Sequence, residues 1–259
     1  MPSNRLPSLA SRITSVWYRH MLVYTRNLIS NGLPPFMEPL IFLAGVGLGL
    51  GKYIATMDGL PYIQFLASGL LVTSAMYTSA FELSYGTFIR LEFDKVYDGM
   101  LAAPISVNNL LVGEILLAGT KGWFFSFAVL IIVSVFGVIP LSFSLLAPLV
   151  GFLTGILFGA ISLLVTSFVK NINHFNFYFT GLLSPMFFFS GVVFPVKSLP
   201  ELIQPVAWIM PLTHCVDLVR AFCTGQFHPV LWLNLIYILA VSLLTGHFAI
   251  RRLKKRLIQ

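Results

Sequence analysis

Three places in this sequence set side chains close enough together to ask what chemistry they could do. His214, Cys215 and Asp217 bring a base, a thiol and a carboxylate into one segment. A nucleophilic site needs the base within hydrogen-bond reach of the nucleophile and a third group that orients the base. Offsets of one and three positions along a broken helix keep these three side chains from converging, and Asp217 is placed to cap the segment or to pair with Arg220. The run GVGLGLGKY at 45–53 resembles a phosphate-binding loop, which requires Gly, four residues, then Gly-Lys-Ser/Thr; Val46 and Tyr53 break it at both ends. Glu114 and Lys121 lie two helical turns apart and so on one face, where they either share an interior polar cluster or reach an interface by their long stems. The FFFSG motif at 187–191 lacks the first glycine of a Gly-x-Ser-Gly site. No convergent acid, base or metal set emerges, so the reading is a non-catalytic chain that binds no cofactor itself and does not hydrolyse ATP.

The elements that carry these residues are set by composition. Of 259 residues, 57% are apolar and only 10% charged, with a mean hydropathy of +0.88, so a lipid bilayer must be the main solvent. The net charge of +7 is no nucleic-acid signature, because the basic residues sit in short blocks between apolar runs. Runs long enough to cross about 30 Å of hydrocarbon fall at 36–56, 61–82, 110–138, 145–168, 176–195 and 229–250. The fold class read from them is all-α, a polytopic membrane protein with six transmembrane helices in a single domain over 1–259. The first run is the least regular, with Pro34, Pro35 and Pro39 at its start and Lys52 near its end.

An even number of spans puts both termini on one side, and the basic residues then fix which side it is. Arg5, Arg12, Arg19, Arg26, Arg90, Lys95, Lys170, Arg251, Arg252, Lys254, Lys255 and Arg256 fall on the terminal side, against Lys52, Lys197 and Arg220 on the other, with Lys121 inside a span. That side is expected to be cytoplasmic. Glu38 and Glu82 fall near cytoplasmic ends of spans and argue for no proton path. Residues 1–33 lack the continuous apolar core of a cleavable signal; their arginines, spaced by seven, suit an interfacial helix over about 6–30, whether as a topology signal or as a docking element.

Two connections stand out. The cytoplasmic loop 84–109 contains SYGTFIRLEFDKVYDGMLAAP, which reads as a short helix with Arg90–Asp94 and Glu92–Lys95 pairs and with Phe88, Phe93 and Tyr97 as large anchors. Either it docks in a groove of another protein or it is a solvated loop helix. On the outer side, Pro195, Pro200, Pro205 and Pro211 forbid a long helix between spans 5 and 6 and predict short, re-entrant outer helices. Cys215 and Cys223, eight apart, leave a disulfide open. Gly151, Gly155 and Gly159, like Gly45, Gly47, Gly49 and Gly51, repeat the smallest side chain on one helix face and allow close helix packing.

Across most of its length the sequence resembles the ABC-2 type permeases, most specifically in SPMFFFSGVVFPVKSLP at 184–200 and IMPLTHCVDLVRAF at 209–222. With EPLIFLAGVGLGLG at 38–51 and LLVGEILLAGTKG at 110–122, it is similar to the nodulation-protein J branch, whose named members export lipo-chitooligosaccharides. The resemblance implies a homodimer in the bacterial inner membrane and a separate cytosolic ATPase that handles ATP and Mg. It also implies an amphiphilic substrate such as a lipid-linked glycan. By the same likeness, Arg90, Glu92, Phe93, Asp94, Lys95 and Tyr97 belong to a coupling helix on the ATPase, and 195–222 to helices closing the outer end. Tyr178, Phe187, Phe188 and Phe189 either line a substrate path or face lipid. An ion-coupled transporter and a non-transporting membrane anchor remain the alternatives.

Overall fold

The computed structural model describes residues 7–257, and nearly all of that chain is helical. Helix α1 (Leu9–Arg26) begins where the Ser8 hydroxyl accepts from the Ser11 N–H at 3.2 Å, a side-chain cap that satisfies one orphan donor. It is followed by α2 (Leu28–Phe42), which runs on through a π-helical turn over Leu43–Leu48. A hairpin of two-residue strands, β1 (Thr56–Met57) and β2 (Leu60–Pro61), turns through Asp58 and Gly59 at φ of 52° and 78°.

Helix α3 (Tyr62–Phe81) continues through π turns over Glu82–Gly86 and Ile89–Phe93 before α4 (Val96–Leu101). The remaining elements are α5 (Val107–Val135), α6 (Ala147–Phe168, entered through a 3-10 turn at Phe143–Leu146), α7 (Phe175–Tyr178) and α8 (Ser184–Phe189). A π turn over Phe179–Leu183 joins the last two. Then come α9 (Gln204–Ile209), α10 (Pro211–Thr224) and α11 (Val230–Leu257).

Among the described residues, three helical stretches are long and apolar enough to cross a membrane: Val107–Val135, Phe143–Phe168 and Val230–Leu257. Their packing differs in an instructive way. On α11 the buried residues are Leu231, Asn234, Ile238, Ser242, Gly246, Ala249 and Leu253, a stripe of three- and four-residue steps. The rest of that helix, including Trp232, Leu233, Ile236, Leu243 and Leu244, faces outward. Helix α3 is the reverse case: 16 of its 20 residues are buried, sheathed by α5, α6 and α10. A helix that meets protein on nearly every side can carry Ser68, Thr73, Ser74, Thr78 and Ser79, which is why its composition is less apolar than its position is deep.

Close backbone approach holds α5 against α6. A Cβ on Gly155 would lie 2.5 Å from the Ala118 carbonyl oxygen and 2.9 Å from the Gly119 Cα, and one on Gly159 would lie 2.7 Å from the Ala118 Cβ. One on Gly151 would collide with Ser126. The other glycine repeat behaves differently: Gly47 packs on Ile63 and Leu66, while a Cβ on Gly45 or Gly49 would meet open space.

Several boundaries differ from the sequence reading. The first run is helical over 28–50 and not 36–56, so Lys52 lies beyond its end in a turn. The second does not stop at 82; its helix carries most of the charged loop with it and breaks only at Lys95, which takes φ 52°, ψ 29°. The fifth ends at Phe189, where Gly191 at φ 83° turns the chain. The sixth does not stop at 250; its helix runs to Leu257 and takes in the basic residues Arg251, Arg252, Lys254, Lys255 and Arg256. Between the fifth and sixth runs the helices are short, and prolines sit in their first turns: Pro205 is the second residue of α9 and Pro211 the first of α10. The readings placed on Arg5 and on the Glu38 side chain lie outside the described residues.

Candidate functional site

At one end of the bundle α1, the π turns of α3, α4, the start of α5 and the end of α11 pack around Val16, Leu83, Tyr97, Met100, Leu110 and Leu253. A network of charges is buried inside this end. The fully buried Glu114 accepts hydrogen bonds from Arg90 Nη2 at 2.7 Å, Tyr97 Oη at 2.8 Å and Thr87 Oγ1 at 3.2 Å, and His20 Nε2 lies 3.0 Å from its Oε1. Glu82 accepts from Arg90 Nη1 at 2.6 Å and from Lys121 Nζ, which also sits 3.6 Å above the Tyr24 ring.

Two carboxylates and two cations thus cancel, which is the condition for holding charge away from water at tolerable cost. The network ties α1, α3, α4 and α5 into one unit. Burial, with the Glu114 carboxylate alongside, holds the Tyr97 phenol well above its ordinary pKa, so it stays a hydrogen-bond donor.

Glu114 and Lys121 therefore share an interior cluster, but through Arg90 and Glu82 and not directly. Glu82, His20 and Tyr24 were missed as members of it. Glu82 and Arg90 are eight residues apart, a spacing that an ordinary α-helix rotates away from one face. Each π turn closes over one more residue than an α turn and turns the helix back, bringing the pair together.

The segment expected to carry Arg90–Asp94 and Glu92–Lys95 pairs forms neither. Arg90 is taken by Glu82 and Glu114, and Glu92 accepts from Arg256 Nη2 at 2.8 Å. Arg256 also donates to the Thr166 and Val169 carbonyls at 3.0 and 2.8 Å, so it caps the end of α6 while holding the α3 extension. Phe88 and Tyr97 are buried and unavailable as anchors, whereas Phe93 is 63% exposed and Asp94 and Lys95 are exposed beside it. What projects is a short tip at the helix break.

Above the network lies a cavity of about 1000 Å³ between α1, α2, α3, α5 and the α7–α8 helix. Its charged floor includes Arg19, His20, Glu82, Arg90 and Lys121; its upper walls include Phe42, Leu70, Tyr77, Phe179, Phe187 and Phe188. Phe187 meets Phe42 edge to face at 5.1 Å and Phe188 at 5.1 Å. Tyr178 and Phe189 stand elsewhere: the Tyr178 hydroxyl shares a 2.8 Å hydrogen bond with Ser162 in the core, and Phe189 packs on Val196, Leu199 and Ala207.

The remaining candidates are structural in their contacts. His214 bonds Asn234 Oδ1 at 2.8 Å and the Trp208 carbonyl at 2.9 Å, Asp217 accepts from Asn234 Nδ2 at 2.5 Å, and Cys215 is buried in the core. Asp217 does not pair with Arg220, whose guanidinium lies 3.7 Å over the Phe65 ring and donates to the Gly191 carbonyl at 2.9 Å. Cys215 and Cys223 are free thiols on one helix; at 1.5 Å per residue they stand about 12 Å apart along its axis, too far for a disulfide. No group of three or more metal-ligating side chains forms among the described residues.

Comparison with known proteins agrees with this architecture. The family described as "ABC-2 type transporter" matches residues 11–223. Nodulation protein J of Rhizobium meliloti is 34% identical over 221 residues, 85% of this chain and 84% of that protein. Nodulation protein J of Neorhizobium galegae is 30% identical over 255 residues, 98% of this chain and 97% of that protein. Inner membrane transport permease YadH of Escherichia coli is 23% identical over 205 residues, 79% of this chain and 80% of that protein. With three membrane-length apolar helices and a family match that spans the charge network and the cavity, this multi-pass membrane protein belongs to the ABC-2 type transporter family.

Proposed function

We propose that the chain is the permease subunit of an ATP-binding-cassette exporter that moves an amphiphile, such as a lipo-oligosaccharide or other lipid-linked glycan, out of the cytoplasm. ATP and Mg are handled by a separate cytosolic ATPase, and two copies of the permease form the pathway. The subunit sits in the bacterial inner membrane with six spans and both termini cytoplasmic; the likeness to an inner membrane transport permease of Escherichia coli supports that compartment. The grouping of α1, the α3 tip and the basic end of α11 at one end of the bundle supports the sidedness.

The observation that carries this reading is the rigid mounting of an exposed tip. Phe93, Asp94 and Lys95 project at the break between α3 and α4. Immediately behind them, Arg90 and Tyr97 grip Glu114 on α5, and Glu92 grips Arg256 on α11. A push on the tip is thereby delivered to three spans and to α1 at once. Work done by nucleotide closure in a docked partner would pass along this mounting and open the seam between two copies. The face of the π turn after α2 at Gly45 and Gly49, where an added Cβ would meet none of the described residues within 4 Å, supports a second copy there. Both network carboxylates are committed to cations, which favours a partner as the energy source over an ion gradient.

The test is a pull-down of the tagged chain from its native membrane in mild detergent. A stoichiometric cytosolic ATPase supports the exporter; a well-folded chain that reproducibly brings down none refutes it.

A further inference from the structure

A second cavity, of about 400 Å³, lies between α1, α4 and the turn that leads into α5. It shares only Arg19 and Val96 with the larger one. Val96, Met100 and Ile105 give it an apolar wall, and two cations line it from different elements: Arg19 from α1 and Lys95 from the helix break before α4. At this end of the bundle Arg90, Lys121 and Arg256 each have a carboxylate. Arg19 and Lys95 have none within ion-pair distance among the described residues, although Asp94 and Asp98 lie close to Lys95 in the chain. Arg12, seven residues before Arg19 and so on the same stripe of α1, keeps a buried Nε with no hydrogen-bond partner among the described residues.

The backbone gives a second, independent sign. Lys95 stands in the left-handed region at φ 52°, ψ 29°, a conformation that glycine takes without strain and other residues do not. What a lysine adds over glycine there is its side chain, and it adds it at the cavity. Gly99 on α4 also lines the cavity, and a Cβ on it would meet nothing within 4 Å, so the space beside it is open.

Unpaired cations beside an apolar wall suit a ligand that is anionic at one end and apolar at the other. The outward side of α1 indicates its source. Leu9, Tyr18 and Leu22 are exposed on that helix, next to the arginine stripe, and in a membrane protein such residues meet acyl chains. The anion therefore comes from the bilayer and not from solution.

We propose that this cavity holds an acidic phospholipid, with Arg19 and Lys95 binding the phosphate and Val96, Met100 and Ile105 packing on the upper part of an acyl chain. The lipid bridges α1 to the helix break behind the exposed tip. The site goes beyond the exporter reading and does not depend on it.

The experiment titrates the full chain in dodecyl maltoside micelles with dioleoylphosphatidylglycerol, and native mass spectrometry counts the lipids bound per copy. The first equivalent is expected to bind roughly tenfold more tightly than dioleoylphosphatidylcholine, whose choline cancels the phosphate charge, and to survive an excess of inorganic phosphate. Arg19→Gln/Lys95→Gln weakens that equivalent roughly thirtyfold, the scale of two basic residues at a membrane surface. Gly99→Leu fills the cavity without removing a charge and brings the first equivalent down to the affinity of the later ones. Lys254→Gln/Lys255→Gln removes two exposed cations from the end of α11 and leaves it unchanged.

Equal binding of phosphatidylcholine, or an unaltered first equivalent in Gly99→Leu, would overturn the proposal. So would displacement by inorganic phosphate, which would assign the cations to a free anion. A loss in the Lys254/Lys255 variant as large as in the Arg19/Lys95 variant would overturn it too, as general attraction of lipid to a basic face.

Discussion

Replacing Glu114 with Gln keeps the side chain's shape and removes its charge, and the contacts around it dictate the consequences. Arg90 Nη2 at 2.7 Å loses its carboxylate, Tyr97 and Thr87 compete for one remaining carbonyl oxygen, and His20 Nε2 at 3.0 Å faces an amide. One positive charge is left uncompensated in a site that is fully buried at Glu114. Breaking a buried pair by deleting one partner costs about 3–5 kcal/mol, so the opening equilibrium of this end should rise by roughly 10²- to several-10³-fold.

The second arm of the test restores neutrality. Glu114→Gln with Lys121→Met removes one anion and one cation and leaves Glu82 with Arg90 at 2.6 Å. That double variant should recover a large part of the loss, and a double-mutant cycle reads the coupling directly. Hydrogen exchange in nanodiscs is the assay, with protection of α1 and α4 as the local readout and of α6 as the internal reference. A loss under about 1 kcal/mol in Glu114→Gln, or a double variant no better than the single, would refute the claim that the charges hold this end together as a neutral unit.

Three further outcomes are expected. Gly155→Ala should cost about 1–3 kcal/mol, because its Cβ would meet backbone atoms of α5 at 2.5 and 2.9 Å; Gly45→Ala, with open space before it, should leave the thermal stability of the single subunit unchanged. Phe93→Asp or Asp94→Arg should abolish co-purification of the ATPase while membrane insertion and hydrogen-exchange protection of α3 stay normal, since these residues are exposed and outside the network. Cys215 and Cys223 should resist maleimide in the folded protein and react together on unfolding without any reductant, as expected for buried free thiols.

The helices themselves were legible because bilayer-length apolar runs leave few alternatives, and α5, α6 and α11 lie where those runs place them. The ends of the helices were not. Arg90 and Glu92 read as loop charges because an ionic side chain ordinarily marks the edge of a span; here the π turns carry the helix onward and bury Arg90 between two carboxylates. Periodicity at 3.6 residues sets positions 82 and 90 off a common line, so spacing drew Glu114 and Lys121 together but not the Glu82–Arg90 pair that links them.

Tyr97 and Phe88 read as docking anchors because large aromatic residues in a charged segment resemble an interface; the same composition serves equally to plug the segment down. Arg220 reads as an outer-loop charge, although it is held by backbone carbonyls and a phenylalanine ring. The packing of α1 on α5 turns on one detail that no pattern singles out: at Gly113 a Cβ would lie 2.7 Å from a methyl of Val16. By contrast, the repeat at Gly151, Gly155 and Gly159 was readable because only close backbone approach requires glycine at all three.

The central claim, that this subunit exports an amphiphile under power supplied by a partner through the α3 tip, is tested most directly by reconstitution. The chain and its co-purified ATPase are placed in liposomes with the nucleotide-binding side outward, and uptake of a fluorescent acyl-oligosaccharide into the lumen is followed after ATP and Mg are added. ATP-dependent uptake that disappears in Phe93→Asp is the predicted result. Uptake that follows an imposed proton or sodium gradient without ATP, or that continues undiminished in the Phe93→Asp protein, would contradict it.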